Sequence, residues 1–516
     1  MYKELELRLP PAEAADGERV REALAGMLGV ACGRVVHVEV IRRSIDARQR
    51  QVMMQLRLGV HVDVVERRER RFVPAYRDVS EALPVVVVGA GPAGLFAALR
   101  LVEEGFKPIV LERGKCVEER KRDLNRLYSS GEVDPDSNYG FGEGGAGTFS
   151  DGKLFTRSRK RGDVDRVLEI LVYHGAPEAI LVDAHPHVGT DKLPGVIANI
   201  RRTIEQCGGE VRFGARVTGL VIRDGKVRGV RVGDEEVQGE AVVLATGHSA
   251  RDVYRMLHTC GVALQPKEFA VGLRVEHPQE LIDRIQYHNP AGRGDFLPAA
   301  EYALVTEVGG RGVYSFCMCP GGVIVPACTG PGQQVVNGMS SSGRNTPWAN
   351  AALVTSIGDG ELAALGLRGL FAGLEFQERL ERGAWLQGGG HLRAPAQRVT
   401  DFLRGRESLN FPRLSYKPGV QATRFGEWLP SLIHDRLREA LRHFDRKMRG
   451  FVAPDAVLLG VETRTSSPLR VPRVEGRLEH PDVVGLYPCG EGAGYAGGIV
   501  SAAMDGEACA VAIARR

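Results

Sequence analysis

Residues 85–94 place four consecutive valines before three spaced glycines, Gly89, Gly91 and Gly94. A run of valines indicates a strand buried on both faces, as in a parallel sheet. Gly89 permits a tight turn out of that strand, Gly91 lets a pyrophosphate approach the backbone, and Gly94 allows close packing of the next helix. This spacing predicts the strand, turn and helix of a dinucleotide-binding fold.

The segment after these glycines supports the same prediction. A helix from Ala93 to about Glu104 would present free N–H groups and its positive dipole end to the phosphates. A second apolar run, 108–111, ends in Glu112, close to the ~20-residue spacing of an acid that accepts ribose hydroxyls. The alternative, a ligand-free strand–helix turn, leaves the placement of Glu112 unexplained.

The composition is that of a large globular protein. The 516 residues suffice for about two to four domains. The 68 basic and 64 acidic residues give a net charge of +4, which is too balanced to indicate nucleic-acid binding. We therefore expect no nucleic-acid partner, and we expect the short basic stretches 67–71 and 157–161 to be solvated faces.

Membrane insertion, secretion and metal binding are not expected. The apolar segment 82–102 is interrupted by glycines, Pro92 and Arg100, so a strand–helix unit explains it better than a membrane span. The charged amino terminus lacks the apolar core of a signal peptide. The nine cysteines are scattered and include no CxxC, so we expect a reducing cytoplasm and no metal site, His185 and His187 included.

The chain divides into four predicted segments. Residues 1–78 form a small α+β domain, with strands at 5–9, 35–41 and 51–62, a helix at 18–27 and a polar connection at 42–50. We expect packing or dimerisation from this domain rather than a ligand site, and a homo-oligomer stays open. The nucleotide-binding domain occupies 84–262, a substrate or cap domain 263–455, and a return segment 456–516.

Periodicity within the nucleotide-binding domain predicts further elements. These are helices at 163–174 and 193–208 and strands at 211–213, 217–223, 227–232 and 241–245. The predicted fold class is α/β, a Rossmann-like FAD-binding domain with an inserted α+β substrate or cap domain and a small amino-terminal α+β domain.

Several motifs outside 89–94 carry a family resemblance. They are 42–48, 112–114, 142–154, 245–252, 316–322, 462–468 and 490–499. Together they resemble the FAD-dependent oxidoreductases of the glutathione-reductase-like superfamily. Within it the chain is similar to a bacterial group usually described as uncharacterised FAD-dependent dehydrogenases or FAD-dependent proteins. The resemblance spans nearly the whole chain and implies tightly held FAD, but it supplies little about the substrate.

The resemblance and the motifs together assign a set of residues to FAD. Gly490 and Glu491 match the place where the superfamily holds the ribityl hydroxyls, and the glycines before Ile499 resemble a helix N-terminus aimed at the flavin. The full set is Gly89, Gly91, Pro92, Ala93, Gly94, Glu112, Arg113, Gly147, Thr148, Ser150, Asp151, Gly152, Lys153, Val217, Ala245, Thr246, Gly247, Gly490, Glu491, Ala496, Gly497, Gly498 and Ile499.

The loop 140–152 also contains a GxGxxG spacing, but no apolar strand precedes it. It is therefore not a second nucleotide fold. We interpret it as a backbone cradle near the pyrophosphate or the flavin, with a surface Ω-loop as the alternative.

Four residues are candidates for catalysis. Cys317 and Cys319 could exchange electrons as thiols near a flavin, or they could be small apolar residues on one strand face. His248 follows the Ala-Thr-Gly turn and could act as acid or base. Arg464 could anchor an anionic substrate or the reduced flavin, or it could pair structurally, as could Glu462.

The predicted function is an FAD-dependent oxidoreductase of the dehydrogenase or reductase type. Hydride or electrons would pass through FAD to or from an unidentified small molecule. The chain lacks a second nucleotide unit and a redox CxxC, so any NAD(P)H would bind transiently as electron donor. The alternatives are an interaction or sensing protein with a structural FAD, and flavin-dependent RNA modification, which the balanced charge argues against.

Overall fold

The computed structural model describes residues 1–65, 72–156 and 162–516. The basic stretches 67–71 and 157–161, predicted to be solvated faces, lie outside the described residues.

Helices are distributed along the whole described chain. They are α1 Pro11–Ala15, α2 Gly17–Leu28, α3 Pro92–Glu104, α4 Val117–Ser130, α5 Val164–Tyr173, α6 Leu193–Gln206, α7 Arg251–Thr259, α8 Gln279–Gln286, α9 Asp359–Ala364, α10 Ala372–Gln387, α11 Val399–Arg404, α12 Ser431–Lys447 and α13 Ile499–Ala514. Helix α4 was not predicted, because half of its residues are charged and it buries few apolar side chains, Leu124 and Leu127 among them.

The strands form sheets of very different sizes. They are β1 Tyr2–Leu9, β2 Val35–Asp46, β3 Met53–Val62, β4 Pro84–Val88, β5 Lys107–Leu111, β6 Glu210–Arg212, β7 Val217–Arg223, β8 Lys226–Val232, β9 Glu235–Gln238, β10 Val242–Leu244, β11 Gln265–Pro266, β12 Phe269–Pro278, β13 Val305–Val308, β14 Arg311–Cys319, β15 Gly322–Pro326, β16 Val336–Ser340, β17 Trp348–Ile357, β18 Ala394–Arg398, β19 Val420–Ala422, β20 Val457–Glu462, β21 Leu469–Arg470 and β22 Leu486–Pro488.

The amino-terminal strands form an antiparallel sheet in the order β1-β3-β2. Val20 and Leu24 of α2 pack against it. Strand β2 continues to Asp46, into the segment that we predicted as a polar connection. The reason is that its pairing with β3 continues to Asp46, which lies opposite Met53. A distant segment adds a contact, because the Arg43 N–H donates to the Val182 carbonyl oxygen at 2.8 Å and the Arg43 side chain pairs with Asp183.

A five-stranded parallel sheet in the order β22-β10-β4-β5-β6 carries the predicted nucleotide motif. The valines of β4 are buried at its centre, as their sequence predicts. Helices α3 and α13 cross in contact beside this sheet, because Gly506 of α13 has no Cβ; one there would lie 2.0 Å from the Ala93 carbonyl oxygen. Two distant parts of the chain thus meet at one end of the sheet.

The largest sheet has seven strands in the order β13-β14-β17-β12-β20-β18-β19. Its core includes Phe376 of α10 and Phe444 of α12. Strand β20 belongs to this sheet, so the chain rejoins the parallel sheet only at β22, whereas we expected the return segment to begin at 456. The combination of a parallel sheet with helices and a second α+β unit confirms the predicted fold class.

None of the described helices combines the length and the apolar character that a bilayer span requires.

Candidate active site

A cavity of about 380 Å³ opens where β4, β5 and β10 end. Gly89, Glu112 and Ala245 each follow one of these strands directly and line the cavity. Ligands of open parallel sheets bind at the carboxyl ends of the strands. The position of the cavity is therefore set by the topology of the sheet.

The glycines of the first motif have three different surroundings. Gly89 adopts φ +104°, and a Cβ there would lie 2.5 Å from the Ala245 carbonyl oxygen. A Cβ on Gly94 would lie 1.8 Å from the Gly89 carbonyl oxygen, so Gly94 is required for close packing of α3 on β4. Near Gly91 the closest atom to such a Cβ is 3.9 Å away, which leaves open space in front of the N-terminus of α3.

Glu112 stabilises the turn after β4 by accepting hydrogen bonds from backbone N–H groups. Its Oε1 accepts hydrogen bonds from the N–H groups of Gly114 and Gly142, at 2.9 and 3.0 Å, and its Oε2 accepts one from Ala90 at 2.9 Å. A carboxylate offers about four acceptor positions. Glu112, which lines the cavity, therefore keeps capacity for a ribose hydroxyl.

Arg113 is held rigidly beside Glu112. Its guanidinium donates two hydrogen bonds to Asp252 and one to Asp136, each of 3.0 Å, and it lies 4.4 Å from the centre of the Phe141 ring. Arg113 and Phe141 both line the cavity and form a wall at this end.

The loop 140–152 lies between the N-termini of α3 and α13 rather than on the outer surface. A Cβ on Gly145 would lie 3.2 Å from Gly91 Cα, and one on Gly147 would lie 3.2 Å from Ile499 Cγ1. Thr148 is buried and donates to the Glu143 carbonyl oxygen at 2.8 Å. The loop thus has the position of a backbone cradle.

His248 and Glu491 form a pair at the N-terminus of α13. Glu491 accepts a hydrogen bond from the Gly498 N–H, and its other oxygen lies 3.6 Å from His248 Nε2. Burial, and then the charges of Arg464 and Arg251, lower the pKa of His248 to about 4. Burial raises the pKa of Glu491. His248 is therefore a neutral imidazole at pH 7.

Cys317 sits on a bulge in β14. Phe316 pairs with Ala352 and Cys319 pairs with Asn350, so β14 has one residue more than β17 across this stretch. Cys317 adopts φ +45° and lines the cavity, whereas Cys319 is fully buried. A bulge re-aims side chains, so the two cysteines do not follow the simple alternation of one strand face.

The surroundings of Cys317 favour its thiolate. The hydrogen bond with Cys319 lowers the pKa of Cys317 most, and the charges of Lys153 and Arg274 lower it further, although burial opposes them. The same contact and burial raise the pKa of Cys319. The surroundings therefore favour the thiolate on Cys317 and the neutral thiol on Cys319.

Arg464 lines the cavity but is already paired. Its guanidinium contacts both oxygens of the buried Glu381, at 3.2 and 3.1 Å, and Arg251 contacts the same carboxylate from another side. Glu462 likewise pairs with the fully buried Arg274 at 2.9 Å. These contacts match the structural alternative that we considered for Glu462 and Arg464.

Most of the residues assigned to FAD from the sequence line this one cavity. They are Gly89, Gly91, Pro92, Ala93, Glu112, Arg113, Gly147, Ser150, Asp151, Gly152, Lys153, Val217, Ala245, Thr246, Gly247, Glu491, Gly497, Gly498 and Ile499. The cavity lining does not include Gly94, Thr148, Gly490 or Ala496, and it includes Cys317, His248 and Arg464 but not Cys319.

Two of the residues outside the lining support it from behind. Gly94 permits the packing of α3, and Gly490 donates its N–H to Asp505 at 2.7 Å. Asp505, Cys489 and Cys509 bring metal-type donor atoms within 4.8 Å of one another. The Arg473 guanidinium, however, contacts both oxygens of Asp505, so a cationic side chain already neutralises this carboxylate.

The sequence interpretation missed several residues at the other end of the cavity. Phe155, Phe316 and Asn337 line it, and Arg344 binds the buried Asp151 there. No spacing signal could have found them as a group, because they come from separate loops and strands. Only the neighbouring motifs, 142–154 and 316–322, pointed to two of these segments.

Comparison with known proteins identifies the relatives of this chain. A family described as "FAD-dependent protein, C-terminal domain-like" matches residues 268–465, and one described as "Pyridine nucleotide-disulphide oxidoreductase" matches 83–267. A domain of unknown function matches residues 1–61. A protein of Clostridium beijerinckii named "Uncharacterized protein" is 42% identical over 495 residues, which make up 92% of this chain and 91% of the relative. The chain belongs to this family of FAD-dependent proteins.

More distant similarities cover only part of the chain or share only a low identity. Protein FixC of Escherichia coli is 28% identical over 214 residues, 40% of this chain and 46% of FixC. The crystal structure of CtdE in complex with FAD and a substrate aligns with 84% of this chain and 80% of its own, at 13% identity and a TM-score of 0.33.

The family membership confirms three predictions: the family itself, FAD as the cofactor, and an FAD-dependent oxidoreductase as the class of enzyme.

Proposed function

We propose that FAD lies along the cavity, with its adenosine near Glu112, its pyrophosphate in front of Gly91 and its flavin ring between Gly498 and Cys317. The open space in front of Gly91 supports this placement, because the side chain of any larger residue there would narrow it. The free N–H groups at the start of α3 also support it, because they favour phosphate oxygens. The remaining acceptor position of Glu112 suits a ribose hydroxyl.

When bound, FAD supplies the hydride or electron transfer. The protein contributes charge at the ring. The N-terminus of α13 brings a positive dipole end to the cavity at Gly498, which stabilises negative charge nearby. Gly497 and Gly498 carry no side chains that would shield it.

His248 and Glu491 are proposed to hold and move a proton. Burial lowers the pKa of the imidazole and raises that of the carboxylate, so both groups are shifted toward their neutral forms. A proton released by a substrate can then be accepted at Glu491 or at His248 Nε2, which are 3.6 Å apart. The observation that carries this role is their shared position on the cavity wall beside Gly498.

Cys317 is proposed to contact the substrate as a thiolate. Its left-handed backbone conformation on a bulge costs free energy, and such strain clusters at functional sites. Cys319 is proposed as the thiol that stabilises this anion by hydrogen bonding. In this proposal Arg464 contributes charge to the wall while Glu381 fixes its position.

The substrate is proposed to be a small molecule and the location cytoplasmic. All nine cysteines are free, which fits a reducing compartment. The segments 1–78, 84–262, 263–455 and 456–516 are kept as a proposed division into domains; the separate sheets support it except at the last boundary, where β20 still belongs to the seven-stranded sheet.

The first experiment is an anaerobic visible spectrum of the purified protein, before and after NADPH and then NADH. We expect a flavin spectrum that bleaches with one of the two, which would name a transient nicotinamide donor. A flavin spectrum that persists with both would overturn that donor and favour a flavin reduced by the substrate itself. Protein purified without flavin would contradict the proposed placement of FAD.

A further inference from the structure

Asn337 stands where local sequence preference would not place it. Strand β16 contains Asn337 followed by Gly338, a pair that is typical of hairpin turns and disfavoured inside strands. Departures from local preference are expected at functional sites, where another requirement outweighs them. Asn337 lines the cavity, so its side chain is within reach of a ligand.

Two donors fix the orientation of the Asn337 amide. Its Oδ1 accepts a hydrogen bond from Arg274 Nη2 at 3.0 Å and another from the Gly338 N–H at 2.7 Å. A guanidinium and a backbone N–H can only donate, so the amide oxygen must face them and the Nδ2 group must point elsewhere. Among the described residues Nδ2 has no hydrogen-bond partner, and it is not one of their buried, unpaired side-chain atoms. It therefore reaches accessible space.

The same guanidinium places Asn337 beside Cys317. Arg274 Nη1 donates to the Cys317 carbonyl oxygen at 3.3 Å, while Nη2 donates to Asn337. Asn350 Oδ1 accepts a second bond from Nη1 at 2.7 Å, and Glu462 accepts one from Nε at 2.9 Å. Arg274 itself is fully buried. One buried group thus holds Cys317 and Asn337 at a fixed spacing on the wall of the cavity.

The packing around Arg274 leaves little room for movement. A Cβ on Gly338 would lie 2.3 Å from Arg274 Nη1 and 2.2 Å from Asn350 Oδ1. A donor that is already fixed loses little conformational freedom when a ligand binds to it. The Asn337 amide is therefore a preorganised hydrogen-bond donor in the cavity.

The charges around this donor favour a neutral acceptor. Glu462 matches the charge of Arg274, and an amide carries no net charge. Lys153 also lines the cavity, but a carboxylate oxygen of Asp151 lies 4.0 Å from its Nζ. The thiolate that the surroundings of Cys317 favour would repel a second anion beside it. A carbonyl oxygen accepts from an N–H group without adding charge.

We propose that the Asn337 Nδ2 group donates a hydrogen bond to a neutral carbonyl oxygen of the substrate, beside Cys317. Asn337 is then a substrate-binding residue that selects carbonyl compounds. The proposal rests on the oxidoreductase function proposed above and deepens it, because it names the chemical class of the small molecule. Phe316, which also lines the cavity and is 36% exposed, offers an apolar surface to the rest of that molecule.

The test is a calorimetric titration of the FAD-loaded protein with acetophenone and with ethylbenzene, which has the same phenyl body but no carbonyl. Asn337→Asp keeps an oxygen for Arg274 and for the Gly338 N–H but has no N–H to donate. Its acetophenone affinity should fall about fivefold, the contribution of one neutral hydrogen bond. Its ethylbenzene affinity should not change.

Infrared spectroscopy gives a second readout that a merely structural role would not move. The carbonyl band of acetophenone bound to the unaltered protein should lie at a lower wavenumber than in hexane, because a hydrogen bond weakens the C=O bond. In Asn337→Asp the band should return toward its position in hexane.

Asn410→Asp is the matched control. It also puts a carboxylate beside an arginine, because Arg398 donates to Asn410 Oδ1, but Asn410 is exposed and does not line the cavity. Both affinities and the carbonyl band should equal those of the unaltered protein. The flavin absorbance of each variant shows whether it folds.

Three results would overturn the inference. One is an unchanged acetophenone affinity in Asn337→Asp, and another is an equal loss for acetophenone and ethylbenzene, which would make Asn337 a structural residue. The third is a carbonyl band at its hexane position in the unaltered protein, and this result decides even if Asn337→Asp fails to fold. Each of them leaves the flavin-loaded oxidoreductase intact, whereas protein that never holds flavin contradicts the proposed function itself.

Discussion

The two ends of the cavity are built in different ways. The end at Gly89–Gly94 consists of backbone: glycines that permit close approach, helix N-termini, and one acid that fixes the turn. The end at Cys317 consists of side chains held by ion pairs from distant segments, such as Arg464 with Glu381 and Arg344 with Asp151. The backbone end therefore suits the phosphates of a nucleotide cofactor. The side-chain end instead offers charged and polar side chains to a substrate.

The largest effect is expected from breaking an ion pair at the side-chain end. Glu381→Ala leaves Arg251 and Arg464 buried without their carboxylate and should lower the free energy of unfolding by about 3–5 kcal/mol. Glu378→Ala, which removes an exposed partner of Arg255 on the same helix, should cost less than about 1 kcal/mol. Denaturant unfolding of both variants checks this, and equal losses would contradict it.

The second-largest effect is expected from adding a methyl group at the backbone end of the cavity. Gly94→Ala puts a Cβ 1.8 Å from the Gly89 carbonyl oxygen, so α3 must shift; we expect about 3 kcal/mol of destabilisation and loss of flavin. Gly195→Ala in α6 meets no atom within 4 Å and should be neutral or slightly stabilising. Thermal unfolding and flavin absorbance distinguish them. A Gly94→Ala variant that still binds flavin would show that close packing of α3 on the Gly89 backbone is not required at this end of the cavity.

A smaller loss is expected from one atom change at Glu112. Glu112→Gln replaces an acceptor of three backbone N–H groups, so FAD affinity should fall about tenfold, measured by flavin titration of the apoprotein. The control is Glu210→Gln on the neighbouring strand β6, where Glu210 pairs with Arg212. This variant should leave the FAD affinity unchanged. An unaltered FAD affinity in Glu112→Gln would show that the Glu112 carboxylate does not contribute to nucleotide binding.

The smallest effect on stability is expected at Cys317, where the measured quantity is the pH dependence of thiol alkylation. The contact with Cys319 and the charges of Lys153 and Arg274 hold its pKa below that of an ordinary thiol, so alkylation by iodoacetamide should reach half its maximum at a lower pH than for an ordinary cysteine. Cys319→Ala should shift this midpoint upward, because the hydrogen bond that favours the thiolate is lost. Cys116, whose pKa burial raises above 9.0, is the internal control and should still gain reactivity above that pH. Mass spectrometry of each cysteine measures both, and a Cys317 midpoint near that of Cys116 would contradict the thiolate.

The sequence predicted the backbone end well because spacing alone determines it. Four valines, three glycines and Glu112 specify a strand, a turn and a helix through local sterics, and the structure has them within two residues. The side-chain end depends on contacts such as Arg344 with Asp151, which join segments far apart in the chain. The bulge at Cys317 is also invisible in the sequence, because a CxC spacing is the same with or without it.

The crossing of α3 and α13 at Ala93 and Gly506 has a consequence for the order of events during synthesis. Residues 89–94 leave the ribosome hundreds of residues before Gly498 and Ile499, which complete the other wall of the same cavity. A nascent chain can present its phosphate-binding turn early, but it has no closed site until α13 has docked. With FAD in the proposed position, capture of the flavin is therefore a late step, because it needs Gly498 and Ile499 as well as residues 89–94.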